Sequence, residues 1–370
     1  GVDSVNAKVG DKDVGLVHAG CNAGALSIDG DSTVYGNITL KDDASIASWS
    51  AGKLLTSVSN WQACTTASTD ASYALKGYLG GTVRGRILGE GKTLTVRGNE
   101  GMTFTADSAN TFGNLVIANG NGNNDDKFAL RLNGGKAVSQ TSTALGMGDV
   151  TLNAGLILRL AGTGVANNTD VVYTYANDMT AGNGATIQSY NITNRLTGTV
   201  SMSGSSLNLA TANGGVLELA GGIDGSGTLN VGAASVVSLG SAVAPLSAES
   251  PQFSDSIVAG AGADITLASS SVLASSTTIT GTEALTLRFG GAGDYALGGI
   301  SGASALTLHF DFTNTPTAGD EDTWTTLNSS IAAGTTTIAL DLNLFNELEQ
   351  GNYTLISSAG TGTTYQLADT

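Results

Sequence analysis

The chain of 370 residues contains 52 glycines and 3 prolines, and its 41% of apolar residues suffice to bury a core, which excludes a disordered chain. Its charge of −16 is uneven: residues 1–195 hold 14 basic and 16 acidic residues (14 − 16 = −2), and residues 196–370 hold Arg288 and 15 acids (1 − 15 = −14). Such a surface favours solubility and repels phosphates, which excludes nucleic acid and anionic membranes as partners and disfavours acidic polysaccharides along the C-terminal half.

The first 80 residues show little regular pattern, and we predict that 1–80 form an N-terminal cap or degenerate first coils. This stretch contains both cysteines, Cys21 and Cys64. In an oxidising compartment they could form a disulfide, which would stabilise the chain by roughly 4 kcal/mol. The alternative is that they are two small buried apolar residues. The chain starts without Met, so we expect that a targeting segment was removed or that the sequence is a fragment.

Residues 81–312 alternate apolar and polar side chains with a period of two, which is typical of half-buried strands. Examples are Leu94 to Val96, Leu156 to Leu160 and Leu306 to Phe312. Clusters of Gly, Asn and Ser separate these short segments. No run of 18 apolar residues occurs, so we expect no membrane-spanning segment.

The strands also recur. A G-x-G element followed by alternating apolar residues begins at Gly89, Gly146, Gly225 and Gly260, and Ile265, Leu285 and Leu306 follow one another at nearly equal intervals (285 − 265 = 20 and 306 − 285 = 21). These spacings predict coils of roughly 18–22 residues that stack about 4.8 Å apart. We therefore predict an all-β right-handed parallel β-helix (a solenoid) with irregular N- and C-terminal caps. Rows of Thr, Ser and Asn would point outward, and residues 313–370 would form terminal coils and the C-terminal cap.

Three segments carry a resemblance to a known family: Ala144–Gly155 (ALGMGDVTLNAG), Gly225–Val231 (GSGTLNV) and Gly351–Ser357 (GNYTLIS). They resemble the autotransporter-associated β-strand repeat of bacterial autotransporter passenger domains. The resemblance implies a right-handed parallel β-helix displayed at the cell surface. It also implies adhesion, aggregation or scaffolding, without shared catalytic residues.

The sequence offers one weak candidate for chemistry. His309 and Asp311 lie two residues apart in one predicted strand, so their side chains share a face about 7 Å apart. Such a pair could transfer protons, but no G-x-S-x-G nucleophile motif accompanies it, and the alternative is an ordinary solvent-facing pair. No catalytic residue, cofactor or metal site is expected.

The favoured hypothesis is a non-catalytic extracellular structural or adhesive protein of a bacterial surface. Its partners would be host or cell-surface glycans, or other copies of itself in a head-to-tail fibre. One alternative is a β-helix polysaccharide lyase or glycosidase, which needs clustered acidic and basic residues. A further alternative is a phage tail-fibre segment, which would form a detergent-resistant trimer.

Overall fold

The protein consists of strands connected by turns in all the parts that the computed structural model describes. The described residues are 2–5, 8–9, 12–13, 24–29, 33–34, 36–40, 43–49, 82–98, 101–105, 109–119, 129–133, 138–161, 168–240, 253–290, 293–311, 325–341, 355–358 and 364–367. None of them belongs to a helix of the length and apolarity that crossing a membrane requires.

The chain divides into two compact units, unit 1 (Gly1–Asn194) and unit 2 (Arg195–Thr370). The strands of unit 1 are β1 (Val2–Val5), β2 (Lys8–Val9), β3 (Lys12–Asp13), β4 (Gly24–Asp29), β5 (Thr33–Val34), β6 (Ile38–Leu40), β7 (Ala44–Trp49), β8 (Thr82–Val83), β9 (Ile87–Leu88), β10 (Leu94–Gly98), β11 (Met102–Thr105), β12 (Leu115–Asn119), β13 (Ala129–Asn133), β14 (Gln140–Thr141), β15 (Val150–Leu152), β16 (Ile157–Ala161), β17 (Asn168–Tyr175), β18 (Met179–Ala181) and β19 (Ala185–Tyr190). Strand β20 (Ile192–Leu196) contains the boundary.

The strands of unit 2 continue the same alternation of short strands and turns. They are β21 (Val200–Met202), β22 (Ser206–Ala212), β23 (Val216–Leu219), β24 (Ile223–Asp224), β25 (Thr228–Val231), β26 (Val236–Leu239), β27 (Ser256–Ala259), β28 (Ala263–Leu267), β29 (Thr278–Gly281), β30 (Ala284–Phe289), β31 (Gly293–Ala296), β32 (Gly299–Ser301), β33 (Ala305–Asp311), β34 (Thr325–Asn328), β35 (Ile331–Ala332), β36 (Thr335–Asp341), β37 (Ile356–Ser358) and β38 (Thr364–Leu367).

In unit 1 the strands pair in two long parallel ladders. Ladder A runs β4-β7-β10-β12-β15-β18, and ladder B runs β5-β8-β11-β13-β16-β19. Parallel pairing of strands that are separated by a strand of another sheet requires the chain to leave a ladder and return to it in the same direction. Antiparallel pairing occurs near the start of the chain, between β1 and β6 and between β2 and β3.

Unit 2 also contains two long parallel ladders. Ladder C runs β22-β25-β27-β29-β32-β35, and ladder D runs β23-β26-β28-β30-β33-β36-β38. Smaller parallel groups are β21-β24 and β31-β34-β37. The all-β class and the parallel sheets that the sequence predicts are therefore confirmed.

Each strand of a ladder forms one rung, and the apolar side chains of successive rungs lie in buried columns. In ladder D, Leu285 is in register with Leu306 and Phe289 with Phe310, and all four side chains are buried. The rings of Phe289 and Phe310 stack with centroids 5.1 Å apart. Burial of each such side chain contributes about 1.5–3 kcal/mol, so the columns are the main source of stability.

One predicted alignment differs from the structure. Leu285 and Leu306 are in register with each other, as their spacing predicts. Ile265, however, pairs with Leu287 and not with Leu285. A shift of two residues keeps every side chain on its own face, so alternation alone does not distinguish the two registers. The predicted caps, 1–80 and 313–370, lie largely outside the described residues, and those boundaries stay predictions.

Candidate ligand-contact face

The structure leaves the residues singled out from the sequence untested as sites. Cys21 and Cys64 lie outside the described residues, so their pairing stays a prediction. His309 lies half-buried in β33, in register with Arg288 of β30 and Ala339 of β36. The backbone of Asp311 lies in the same strand, in register with Asp341, and its side chain is outside the description. A His309–Asp311 contact therefore stays untested.

A different arrangement, on the outward side of ladder C, is built almost entirely from uncharged polar side chains, with Val258 as its one apolar member. We call it the hydroxyl–amide face. Its members alternate with buried apolar residues and are Ser206, Asn208, Thr228, Asn230, Ser256, Val258, Thr278, Thr280 and Ser301.

The hydroxyl–amide face is ordered in two columns by the register of the strands. Ser206, Thr228, Ser256 and Thr278 form one column, and Asn208, Asn230, Val258, Thr280 and Ser301 form the other. Rungs are about 4.8 Å apart, and the two columns are separated by two residues, or about 6.6 Å. The result is a regular array of hydrogen-bonding groups.

Contacts within the columns hold these side chains in place. Asn230 Nδ2 donates to Asn208 Oδ1 at 3.0 Å, and the hydroxyls of Thr280 and Ser301 lie 3.5 Å apart. Each amide and hydroxyl has several donor or acceptor positions, so one contact does not exhaust its capacity. None of these residue types titrates near neutral pH, so the face can bind polar ligands but offers no acid or base.

The outward side of ladder D differs because it carries charge. Arg288 donates to both carboxylate oxygens of Asp264, with Nε–Oδ1 and Nη2–Oδ2 distances of 2.8 Å. Arg195 pairs with Glu218 through its Nε. No other arginine or lysine occurs in the sequence of unit 2, and both of these arginines are paired with carboxylates. Unit 2 therefore keeps no uncompensated arginine or lysine for an anionic ligand.

Several carboxylates also have structural roles. Asp255 Oδ2 accepts the Gly227 N–H at 3.0 Å, and Asp294 accepts the hydroxyl of Thr326. Within the described ranges, no three His, Cys, Asp or Glu side chains gather in a way that could hold a metal ion.

The sequence predicts outward rows of Ser, Thr and Asn, but not which residues share a column. The two strands that contain Asn208 and Asn230 share a sequence pattern from which their register could have been predicted. Ser206-Leu207-Asn208-Leu209 and Thr228-Leu229-Asn230-Val231 are both hydroxyl, apolar, amide, apolar. Aligning the two copies of this pattern reproduces the register of the two strands.

Comparisons with known proteins return no relative of this chain. No protein-family model matches it, and neither a curated protein nor a solved structure does. Its function has to be inferred from its own residues and geometry.

Proposed function

We propose that this protein is a non-catalytic structural or adhesive protein of a bacterial surface, located outside the cell. We further propose that its ladders are the faces of a right-handed parallel β-helix of the autotransporter-passenger kind. The parallel ladders and their buried columns support the second part of the proposal. The hydroxyl–amide face is the observation that supports the first.

The binding mode follows from the chemistry of that face. Ser, Thr and Asn side chains donate and accept hydrogen bonds as sugar hydroxyls do, and each such contact contributes only about 1 kcal/mol in water. A column of them contacts a repeating ligand at several points at once, and simultaneous weak contacts raise the overall affinity steeply. Glycans of a cell surface, or the same face of another copy, provide such repeats.

The test is adsorption of the full chain to insoluble polysaccharides (chitin, cellulose and peptidoglycan sacculi), measured as the protein depleted from solution. The face variant combines Thr228→Ala, Asn230→Ala, Thr278→Ala and Thr280→Ala. We expect the chain to adsorb to at least one of these materials and the face variant to adsorb at least about tenfold more weakly, because four hydrogen-bonding groups are lost.

A matched control carries four alanines on the outward side of ladder D: Thr266→Ala, Thr286→Ala, Thr307→Ala and Thr337→Ala. These residues also lie in parallel strands, so loss of strand propensity is similar in both variants. Equal losses in both variants, or no adsorption of the parent chain, would overturn the proposal. So would release of soluble or unsaturated sugars from any of the polysaccharides, which would favour a lyase or glycosidase.

A further inference from the structure

Two arginines lie side by side on the outward side of ladder B in unit 1. Arg131 of β13 is in register with Arg159 of β16, which places their Cα atoms about 4.8 Å apart. Each is flanked by buried leucines, Leu130 and Leu132 or Leu158 and Leu160, so both guanidinium groups are directed away from the core. We call Arg131 and Arg159 the arginine pair.

The two guanidinium groups extend toward opposite neighbouring strands. Arg131 lies across Gly101, where a Cβ atom would be 3.1 Å from its Nη1. Arg159 donates from Nε to Gln188 Oε1 at 2.7 Å, and its guanidinium carbon is 5.6 Å from the centre of the Tyr190 ring. The pair thus forms a basic strip that reaches from the start of β11 to β19.

This strip is not neutralised by the residues that the structure describes. Arg131 has no hydrogen bond or ion pair with any of them, and the partner of Arg159 is an uncharged amide. Partial burial, and then the charge of Arg159, hold the pKa of Arg131 below its usual value. Both causes disfavour the charged form of Arg131, so keeping the arginine pair charged in the folded chain costs free energy. By contrast, both arginines of unit 2 have carboxylate partners.

We propose that the arginine pair binds the carboxylate or sulfate groups of an acidic polysaccharide. Anionic oxygens beside each guanidinium group accept charge-assisted hydrogen bonds, which are about twice as strong as neutral ones. This inference concerns unit 1 and does not depend on the hydroxyl–amide face of unit 2.

The surroundings of the pair fit a sugar. Thr103, in register with Arg131, and Gln188, in register with Arg159, add a hydroxyl and an amide to the same outward row. Tyr190 adds an aromatic ring at the end of the strip. The row is half-buried and follows parallel strands in register, which suits an extended chain of sugars.

A nucleic acid would offer phosphates to the same two side chains. It is the weaker candidate because affinity for nucleic acid depends on neutralising many phosphates at once. The chain carries a net charge of −16, and even residues 1–195 sum to −2 (14 − 16). A short basic strip on such a molecule favours a ligand with spaced anionic groups and hydroxyls to contact.

The test uses the full chain and three labelled probes at low ionic strength: polygalacturonate for carboxylates, dextran sulfate for sulfates and neutral dextran. Binding is followed by fluorescence anisotropy. We expect one of the anionic probes to bind and neutral dextran not to bind. The double variant Arg131→Gln with Arg159→Gln should bind at least about tenfold more weakly, because two charged donors are lost. Its melting temperature should be equal or higher, because the repulsion between the two charges is removed.

A double variant with the same change in net charge, Arg86→Gln with Lys92→Gln, is the control. Arg86 precedes β9 and Lys92 precedes β10, neither strand belongs to ladder B, and binding should change less than about twofold. An equal loss in the control, no binding of either anionic probe, or tighter binding of single-stranded DNA than of both would overturn the assignment.

Discussion

At the scale of single residues, two glycines separate two reasons for glycine in a turn: a left-handed backbone conformation and a lack of room for a side chain. Gly91 and Gly146 both lie in turns with positive φ, +69° and +87°. A Cβ atom on Gly91 would meet nothing within 4 Å, whereas one on Gly146 would lie 2.4 Å from the Phe112 ring. Positive φ disfavours other residues at both positions, and at Gly146 the packing against Phe112 also leaves no room for a Cβ atom.

We expect Gly91→Ala to lower the free energy of unfolding by about 1–2 kcal/mol, through the left-handed backbone alone. Gly146→Ala should lower it further, by about 1–3 kcal/mol, because the methyl group must displace a buried ring. Urea unfolding followed by circular dichroism measures both. Equal losses would mean that the contact with Phe112 does not constrain this turn.

At the scale of elements, successive turns are joined by asparagine side chains as well as by the ladders. Asn110 is buried and joins its own loop to β9 and to the turn at Ala144: its Oδ1 accepts the Ile87 N–H at 2.8 Å, and its Nδ2 donates to the Ala144 carbonyl at 2.9 Å. Asn114 has a similar role at the surface, where its Oδ1 accepts the Asp149 N–H at 3.0 Å. The two differ mainly in exposure.

Asn110→Ala should therefore destabilise the protein by about 2–4 kcal/mol, because a buried N–H and a buried carbonyl lose their partner together. Asn114→Ala should cost less than about 1 kcal/mol, because water replaces the side chain there. Thermal unfolding of both variants beside the parent chain measures the difference. Similar melting temperatures would show that buried asparagines are not what joins these turns.

The arginine pair shows at the same scale what sequence reasoning missed. Leu130-Arg131-Leu132 and Leu158-Arg159-Leu160 are two copies of one tripeptide, and aligning the copies reproduces the register of the two strands. Alternation predicts each strand and directs both arginines outward. It does not predict their pairing, because their separation in the sequence exceeds the expected coil of roughly 18–22 residues.

At the scale of the whole chain, the alternation of apolar and polar residues predicted the class of the fold. The variable length of the turns prevented prediction of the register between strands. The interval between paired residues is 22 for Asn208 and Asn230 but longer for Asn230 and Val258 (258 − 230 = 28), and the second interval includes 241–252, outside the described residues. Insertions of this kind change the interval without changing which side chains face the core. Columns, and therefore binding faces, follow from register and could not be assigned from the sequence.

The central claim is that the strands are parallel and in register, so that polar side chains align in outward columns. Both proposed binding faces depend on this arrangement. In a chain with Cys21→Ser and Cys64→Ser, Asn208→Cys with Asn230→Cys places two thiols on adjacent rungs, with Cα atoms about 4.8 Å apart, within disulfide range. The control, Asn208→Cys with Val258→Cys, places them two rungs apart in the same column, at about 9.6 Å, beyond that range. On mild oxidation, thiol titration should show loss of both thiols from the adjacent pair in the monomer and retention of both in the control. Oxidation of the two pairs to the same extent, or of the control alone, would contradict this register.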